Sequence, residues 1–222
     1  MNWLLMRRGV VGVIVQAVKR LFFSSKLVFL TLTFCIFPFY SLKSYILHLL
    51  YGVKIEISGD SISTDKNYLI ITNHRSWYDF FIVRSVLYKS QNDISCVGMH
   101  KAGIGYFLYA LALRLRGDLY YSNNDKNCLK NNLKHLSLGL HCMLFPEGTR
   151  NRSAEGLLPF KKGIDKLIEN TEEDLLLCYI KGSEKILNRG SSRVQVKVKL
   201  IQREFYRGKT VEELYRETFE IL

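Results

Sequence analysis

No Gly-x-Ser-x-Gly string occurs in these 222 residues. The strained turn that exposes a serine nucleophile in α/β-hydrolases is therefore missing. No zinc-finger spacing, no RNP-like aromatic motif and no basic helix is present. The chain thus lacks the usual devices for binding nucleic acid, and none is expected as a partner. The five cysteines, Cys35, Cys96, Cys128, Cys142 and Cys178, are odd in number and scattered through mostly apolar surroundings. That distribution argues against a disulfide framework and for buried, reduced thiols in a cytosolic domain. Internal repeats, low-complexity tracts and an interdomain linker are absent as well. Acidic side chains are scarce: 20 Asp and Glu face 32 Lys and Arg, a formal net charge of +12. Such a balance favours an anionic partner such as a phospholipid head group or a phosphorylated substrate.

A long uninterrupted apolar run is also missing. Residues 27–42 are mostly apolar and flanked by Lys26 and Lys43, but Pro38 falls inside them. At ~1.5 Å per residue a helix here reaches roughly 24 Å, short of the ~30 Å hydrocarbon core. Proline would also kink or end it near Phe37. Residues 9–18 form an earlier apolar run that Lys19 and Arg20 interrupt, with Ser24 and Ser25 as a turn between the two runs. No small-x-small cleavage site follows the first run, which argues against a cleaved signal peptide. The preferred reading of residues 1–50 is a membrane-associated helical hairpin lying in one leaflet. Lysines and arginines would sit at head groups, and Phe22, Phe23, Phe29, Phe34, Phe37, Phe39 and Tyr40 at the boundary. A single tilted span over 27–42 is one alternative. A pair of helices packed on the globular core is another.

What remains is ordinary globular sequence, with 48% hydrophobic and 23% charged residues overall. Residues 51–222 suit one domain. Compact apolar or alternating runs predict strands at 53–58, 67–72, 94–99, 119–121, 140–145, 175–180 and 193–202. Helical spacing appears at 76–89, 104–115, 124–138, 160–169 and 210–222, the last with Thr210 and Glu213 at capping-box spacing. Strands alternating with helices imply an α/β domain: a single mixed, largely parallel sheet flanked by helices.

Two strings carry chemistry. Asn73-His74-Arg75-Ser76-Trp77-Tyr78-Asp79 follows the second strand, where α/β proteins place ligands and catalytic groups. A neutral imidazole at His74 can take a proton from an alcohol, and Asp79 can accept its other ring N–H to fix the tautomer. The competing reading is structural, because Ser76-x-x-Asp79 also has capping-box spacing. Phe145-Pro146-Glu147-Gly148-Thr149-Arg150 leaves another buried strand. Pro146 stops the ladder, Gly148 lets the backbone approach a ligand, Glu147 can bind hydroxyls, and Arg150 can clamp a phosphate. Its competing reading is a turn with a surface Glu–Arg pair. Downstream, Pro159-Phe160-Lys161-Lys162-Gly163 sets two cations at a helix start, which favours an anion or serves as a solvated basic turn.

Together these strings resemble the glycerophospholipid acyltransferase family, which includes the enzymes that acylate lysophosphatidate. The family's NHxxxxD motif is matched by Asn73, His74 and Asp79, its FPEGTR motif by Phe145 to Arg150, and its FKKG element by Phe160 to Gly163. The similarity spans roughly residues 51–180. It implies a membrane-bound acyltransferase whose active site faces the cytoplasm, attached monotopically or by one span. The acyl donor would be acyl-CoA or acyl carrier protein, and the acceptor a lysophospholipid, with 1-acyl-sn-glycerol 3-phosphate the leading choice. His74 would be the base, Asp79 its partner, and Glu147, Gly148, Thr149 and Arg150 acceptor ligands. No cofactor and no metal is expected. Two departures stand out. Family members carry an arginine after a glycine in a middle motif, and Asn123 stands at that place; Lys101, Arg114 and Arg116 are the nearby substitutes, and Lys161 is a further cation for the site. The late Val-Pro-Val-like motif is missing too, since residues 176–180 hold no proline. Both departures leave the acceptor open, so another lysophospholipid, a thioesterase reaction, or lipid binding without catalysis are the rival readings.

Overall fold

Three central strands are apolar at nearly every position, a pattern that requires cover on both faces of a sheet. The computed structural model describes residues 53–76, 78–87, 94–98, 119–122, 127–153, 156–186, 192–206 and 208–221. The elements are β1 (Val53–Gly59), β2 (Leu69–Thr72), α1 (Asp79–Val86), β3 (Ile94–Gly98), β4 (Leu119–Ser122), α2 (Cys128–Ser137), β5 (His141–Leu144), α3 (Gly163–Glu169), β6 (Leu175–Lys181), β7 (Ser192–Ile201) and α4 (Val211–Phe219). Short 3₁₀ turns occupy Ser183–Lys185 and Arg203–Phe205. The sheet has seven strands in the order β1-β7-β6-β2-β5-β3-β4. Every neighbouring pair is parallel except β6 with β7. The expected mixed, largely parallel sheet in an α/β domain is present.

Alternation along the central strands sorts side chains into two cores. Ile70, Met143, Leu176, Cys178 and Ile180 face one side, where α1 adds Phe80, Phe81, Ile82 and Val83. Leu69, Ile71, Cys142, Leu144, Leu175 and Leu177 face the other. There α3 contributes Ile164, Leu167 and Ile168, and α4 contributes Val211, Leu214 and Tyr215. β7 lies nearer the sheet edge and keeps the period of two: Val194, Val196 and Val198 are buried, and Arg193, Gln195, Lys197 and Lys199 are exposed.

Helix starts fall later than periodicity suggests, for identifiable reasons. The helix expected from residue 76 begins at Asp79, because the Asp79 carboxylate draws the preceding amides into a tight turn. The one expected from 160 begins at Gly163, because the Phe160 N–H donates to Glu212 Oε2 at 2.9 Å and the Lys161 N–H to the Pro146 carbonyl at 2.9 Å. The Thr210–Glu213 capping box is formed in full. The expected N-terminal hairpin, the helix at 104–115, and Lys101, Arg114, Arg116 and Asn123 lie outside the described residues. Among the described residues no helix is long and apolar enough to cross a membrane.

His141 opens β5 with no solvent exposure, and its Nδ1 accepts the Tyr68 N–H at 3.2 Å. Burial, helped by the positive Arg84, pushes its pKa down from 6.5 to about 4. A protonated Nδ1 would also meet the Tyr68 N–H donor head on. The unfolded chain therefore takes up this proton near pH 6.5, and the folded chain only near pH 4. The stability tied to neutral His141 is fully present above pH 6.5 and is lost as pH falls towards 4. At 1.36 kcal/mol per pKa unit this loss is about 3 kcal/mol. His141→Asn, which keeps an oxygen for the Tyr68 amide, should flatten stability across that window. Denaturant midpoints of both proteins between pH 4 and 7 check this.

Candidate active site

The carboxyl ends of three adjacent parallel strands, β5, β2 and β6, bring the His74 loop, the Phe145–Arg150 turn and the Gly182-Ser183 turn to one place. β2 ends at Thr72 and releases Asn73, His74 and Arg75. β5 ends at Leu144 and releases the Phe145–Arg150 turn, and β6 ends at Lys181 and turns through Gly182 and Ser183. The carboxyl edge of a parallel sheet is the ordinary place for a ligand site in this architecture.

His74 and Asp79 meet directly. His74 Nδ1 lies 3.0 Å from Asp79 Oδ2. The imidazole is 21% exposed and the carboxylate not at all. The same Oδ2 accepts the backbone N–H groups of Arg75 at 2.6 Å and Ser76 at 2.7 Å. Oδ1 accepts the Ser183 hydroxyl at 2.6 Å. A buried carboxylate loses several kcal/mol of hydration. Hydrogen bonds to charged groups return about 1.5–3 kcal/mol each, so four donors suffice to hold Asp79 as an anion. An anionic acceptor at Nδ1 requires the proton to sit there, which leaves the lone pair of the neutral ring on Nε2. The Ser76–Asp79 capping box is only half formed alongside the His74 contact: the Ser76 amide donates to Asp79, but Ser76 Oγ accepts from the Tyr78 N–H at 3.3 Å, and no side chain caps α1.

The Phe145–Arg150 turn grips His74 from two sides. Phe145 stacks on the imidazole with centroids 4.1 Å apart. Glu147 Oε1 accepts the His74 N–H at 2.8 Å, and Oε2 accepts the Leu158 N–H at 2.9 Å. Just beyond the turn, the Asn151 N–H donates to the His74 carbonyl at 2.6 Å. Glu147 was expected to bind acceptor hydroxyls. It is 2% exposed, with each oxygen taken by a main-chain amide, so the structure makes it a strut between two loops. Burial pushes its pKa up, against the pull of those two amides and of Arg75.

Gly148 adopts φ +67°, and a Cβ there would stand 3.1 Å from Lys161 Cε. The positive φ is what favours glycine here, since the Lys161 side chain could shift by the few tenths of an ångström a Cβ would need. Thr149 is exposed and Arg150 half-buried in the same turn. The buried Arg75 fastens the following loop, with Nη1 donating to the Ser153 carbonyl and Nη2 to the Gly156 carbonyl, both at 2.9 Å. Asn73 fixes the other flank: its amide group donates to the Ile180 carbonyl at 2.8 Å and accepts the Ile180 N–H at 2.7 Å. The Asn73 N–H donates to the Tyr215 hydroxyl at 3.1 Å. Among the described residues no group of three or more His, Cys, Asp and Glu side chains is placed to hold a metal ion.

Residues 54–181 match the family model described as Acyltransferase. The chain belongs to the acyltransferase family. It is 30% identical over 152 residues to a 1-acyl-sn-glycerol-3-phosphate acyltransferase of Limnanthes douglasii, covering 66% of this chain and 52% of that protein. A protein of the same name from Saccharomyces cerevisiae is 22% identical over 166 residues, 68% of this chain and 53% of the relative. The chain thus spans about half the length of the curated relatives it matches. The crystal structure of the 1-acyl-sn-glycerophosphate (LPA) acyltransferase PlsC from Thermotoga maritima superposes with a TM-score of 0.57 at 18% identity. That match covers 90% of this chain and 85% of the other, and shows a shared fold. The family membership implied by the NHxxxxD and FPEGTR strings is borne out.

Sequence reasoning did not single out Ser183, Phe145 or Asn151 for the His74 environment. Gly182-Ser183 directly after an apolar strand was the available signal for the first. Glu147→Gln tests the strut. The replacement amide turns an N–H₂ group toward one of the two buried main-chain donors, and the expected loss is about 1–3 kcal/mol of stability, seen as a lower denaturant midpoint. An unchanged midpoint with a raised acceptor KM would instead mark Glu147 as a ligand.

Proposed function

We propose that the protein is a membrane-associated O-acyltransferase. It moves a fatty acyl group from a thioester, acyl-CoA or acyl carrier protein, to 1-acyl-sn-glycerol 3-phosphate, and the product is phosphatidate. The observation that carries this reading is the His74–Asp79 pair at a strand end, its Nε2 available for a substrate hydroxyl. In the proposed cycle Nε2 removes the proton as the hydroxyl oxygen attacks the thioester carbonyl. The imidazolium, stabilised by Asp79, then returns that proton to the departing thiolate. Help of this kind is worth ~10²–10⁴-fold, or about 3–5 kcal/mol of barrier. No covalent enzyme intermediate enters the cycle, in keeping with the missing nucleophile elbow. No cofactor is needed for these steps.

Arg150 and Lys161 are the proposed phosphate ligands, Gly148 and Thr149 shape the same turn, and Lys101 is a further proposed contact. Glu147 supports this site from beneath. Asn123, standing where family members carry arginine, favours a second acceptor within the same reaction class, a lysophospholipid with a different head group. Membrane attachment is supported by the formal charge of +12 and the apolar runs at 9–18 and 27–42. It also suits the chemistry, because one myristoyl-sized chain partitions into bilayers with K ~10⁴ M⁻¹. Residues 1–50 are proposed as the membrane-associated segment, residues 51–222 as the acyltransferase domain, and the cytoplasm as the side the site faces.

Purified protein offered mixed lysophospholipids and acyl donors should yield the diacyl product, identified by mass spectrometry of the lipids. His74→Ala should fold and lower the rate by ~10²–10⁴-fold. Full thioester-dependent acylation by that variant would overturn the assignment of the base, and thioester loss independent of acceptor would point to hydrolysis.

A further inference from the structure

Asp79 is held on both oxygens, and among the described residues only one of the holders is a side chain from a distant part of the chain. Ser183 Oγ donates to Asp79 Oδ1 at 2.6 Å, across 104 residues of chain. Ser183 is 1% exposed. Its backbone is aimed by Gly182, which adopts φ +92°; a Cβ on Gly182 would stand 2.4 Å from the Arg193 carbonyl oxygen. Only glycine can make this turn between β6 and the 3₁₀ segment Ser183–Lys185, and the turn brings the serine hydroxyl beneath the carboxylate. The two amides and the imidazole all use Oδ2, so Oδ1 has Ser183 alone among the described residues.

From this geometry we infer that Ser183 is a positioning residue for catalysis: its hydroxyl fixes the plane and the charge of Asp79, and through Asp79 the Nδ1–H tautomer of His74. This rests on His74 acting as the base. Without the hydroxyl, Oδ1 is a buried acceptor facing no donor. The carboxylate then rotates or takes up a proton, and in either case its grip on His74 Nδ1–H weakens. The acceptor and donor sites are untouched, since Ser183 meets the reaction only through Asp79.

Four proteins decide the matter: the unaltered chain, Ser183→Ala, Ser183→Thr and His74→Ala. Ser183→Ala should lower kcat by roughly tenfold or more, about 1.4 kcal/mol in the barrier. KM for lysophosphatidate and for the acyl donor should stay unchanged. Ser183→Thr, which keeps the hydroxyl, should restore most of kcat. In protein labelled with ¹⁵N-histidine, the His74 Nδ1–H proton signal should weaken or shift upfield in Ser183→Ala and return in Ser183→Thr. Unaltered kcat in a folded Ser183→Ala, a raised KM with kcat intact, or an unmoved Nδ1–H signal would each overturn the inference. His74→Ala separates the two levels. If it stays active, the assignment of the base has failed. If it is inactive while Ser183→Ala is fully active, only the role of Ser183 has failed.

Discussion

A carboxylate without solvent must be surrounded by donors or give up its charge, and the whole site is arranged around satisfying one of them. Asp79 has no exposure and collects an imidazole, two main-chain amides and a hydroxyl. The two amides dictate how the chain turns between β2 and α1. The imidazole contact fixes the His74 ring, and the hydroxyl ties the carboxylate to the turn that follows β6. Remove the charge at Asp79 and each of these segments loses the reason for its present path. The glycine at 182, the late start of α1 and the order of strands around β2 all read as conditions for bringing those donors together.

The Phe145–Arg150 turn divides its labour in the same way. Its first half, Phe145 and Glu147, packs against and bonds His74, while in its second half Thr149 is exposed and Arg150 half-buried. A motif described by its charged letters alone looks like one ligand-binding surface. In the fold the turn is divided, with its first half fastened to the loop that carries His74.

What could be read from the sequence followed the range of the interactions. The strands 69–72, 141–144 and 175–181 were legible because cover on both faces leaves an unbroken apolar run. His74 and Asp79 were legible because only four residues separate them in one short stretch of chain. The contacts of Glu147 with His74 and of Ser183 with Asp79 span 73 and 104 residues. They depend on β5 and β6 being the two neighbours of β2, a fact of topology that no local spacing encodes. The start of α3 was misjudged for the same reason: the Phe160 amide is held by Glu212, 52 residues away. A carboxylate beside Gly148 and Arg150 reads as a ligand for hydroxyls, and its bonds to the His74 and Leu158 amides come from segments that the motif does not include.

The side-chain amide of Asn73 has a consequence of its own. By bonding both the N–H and the carbonyl of Ile180 it imitates one more residue of the β2–β6 ladder, after the backbone of β2 has already turned away. The loop carrying His74 is thus spliced into the middle of the sheet, among strands whose pairing breaks only in the larger opening events of such a fold. The conformational entropy of that loop is lost once, during folding, and the His74 ring is held in one place from then on.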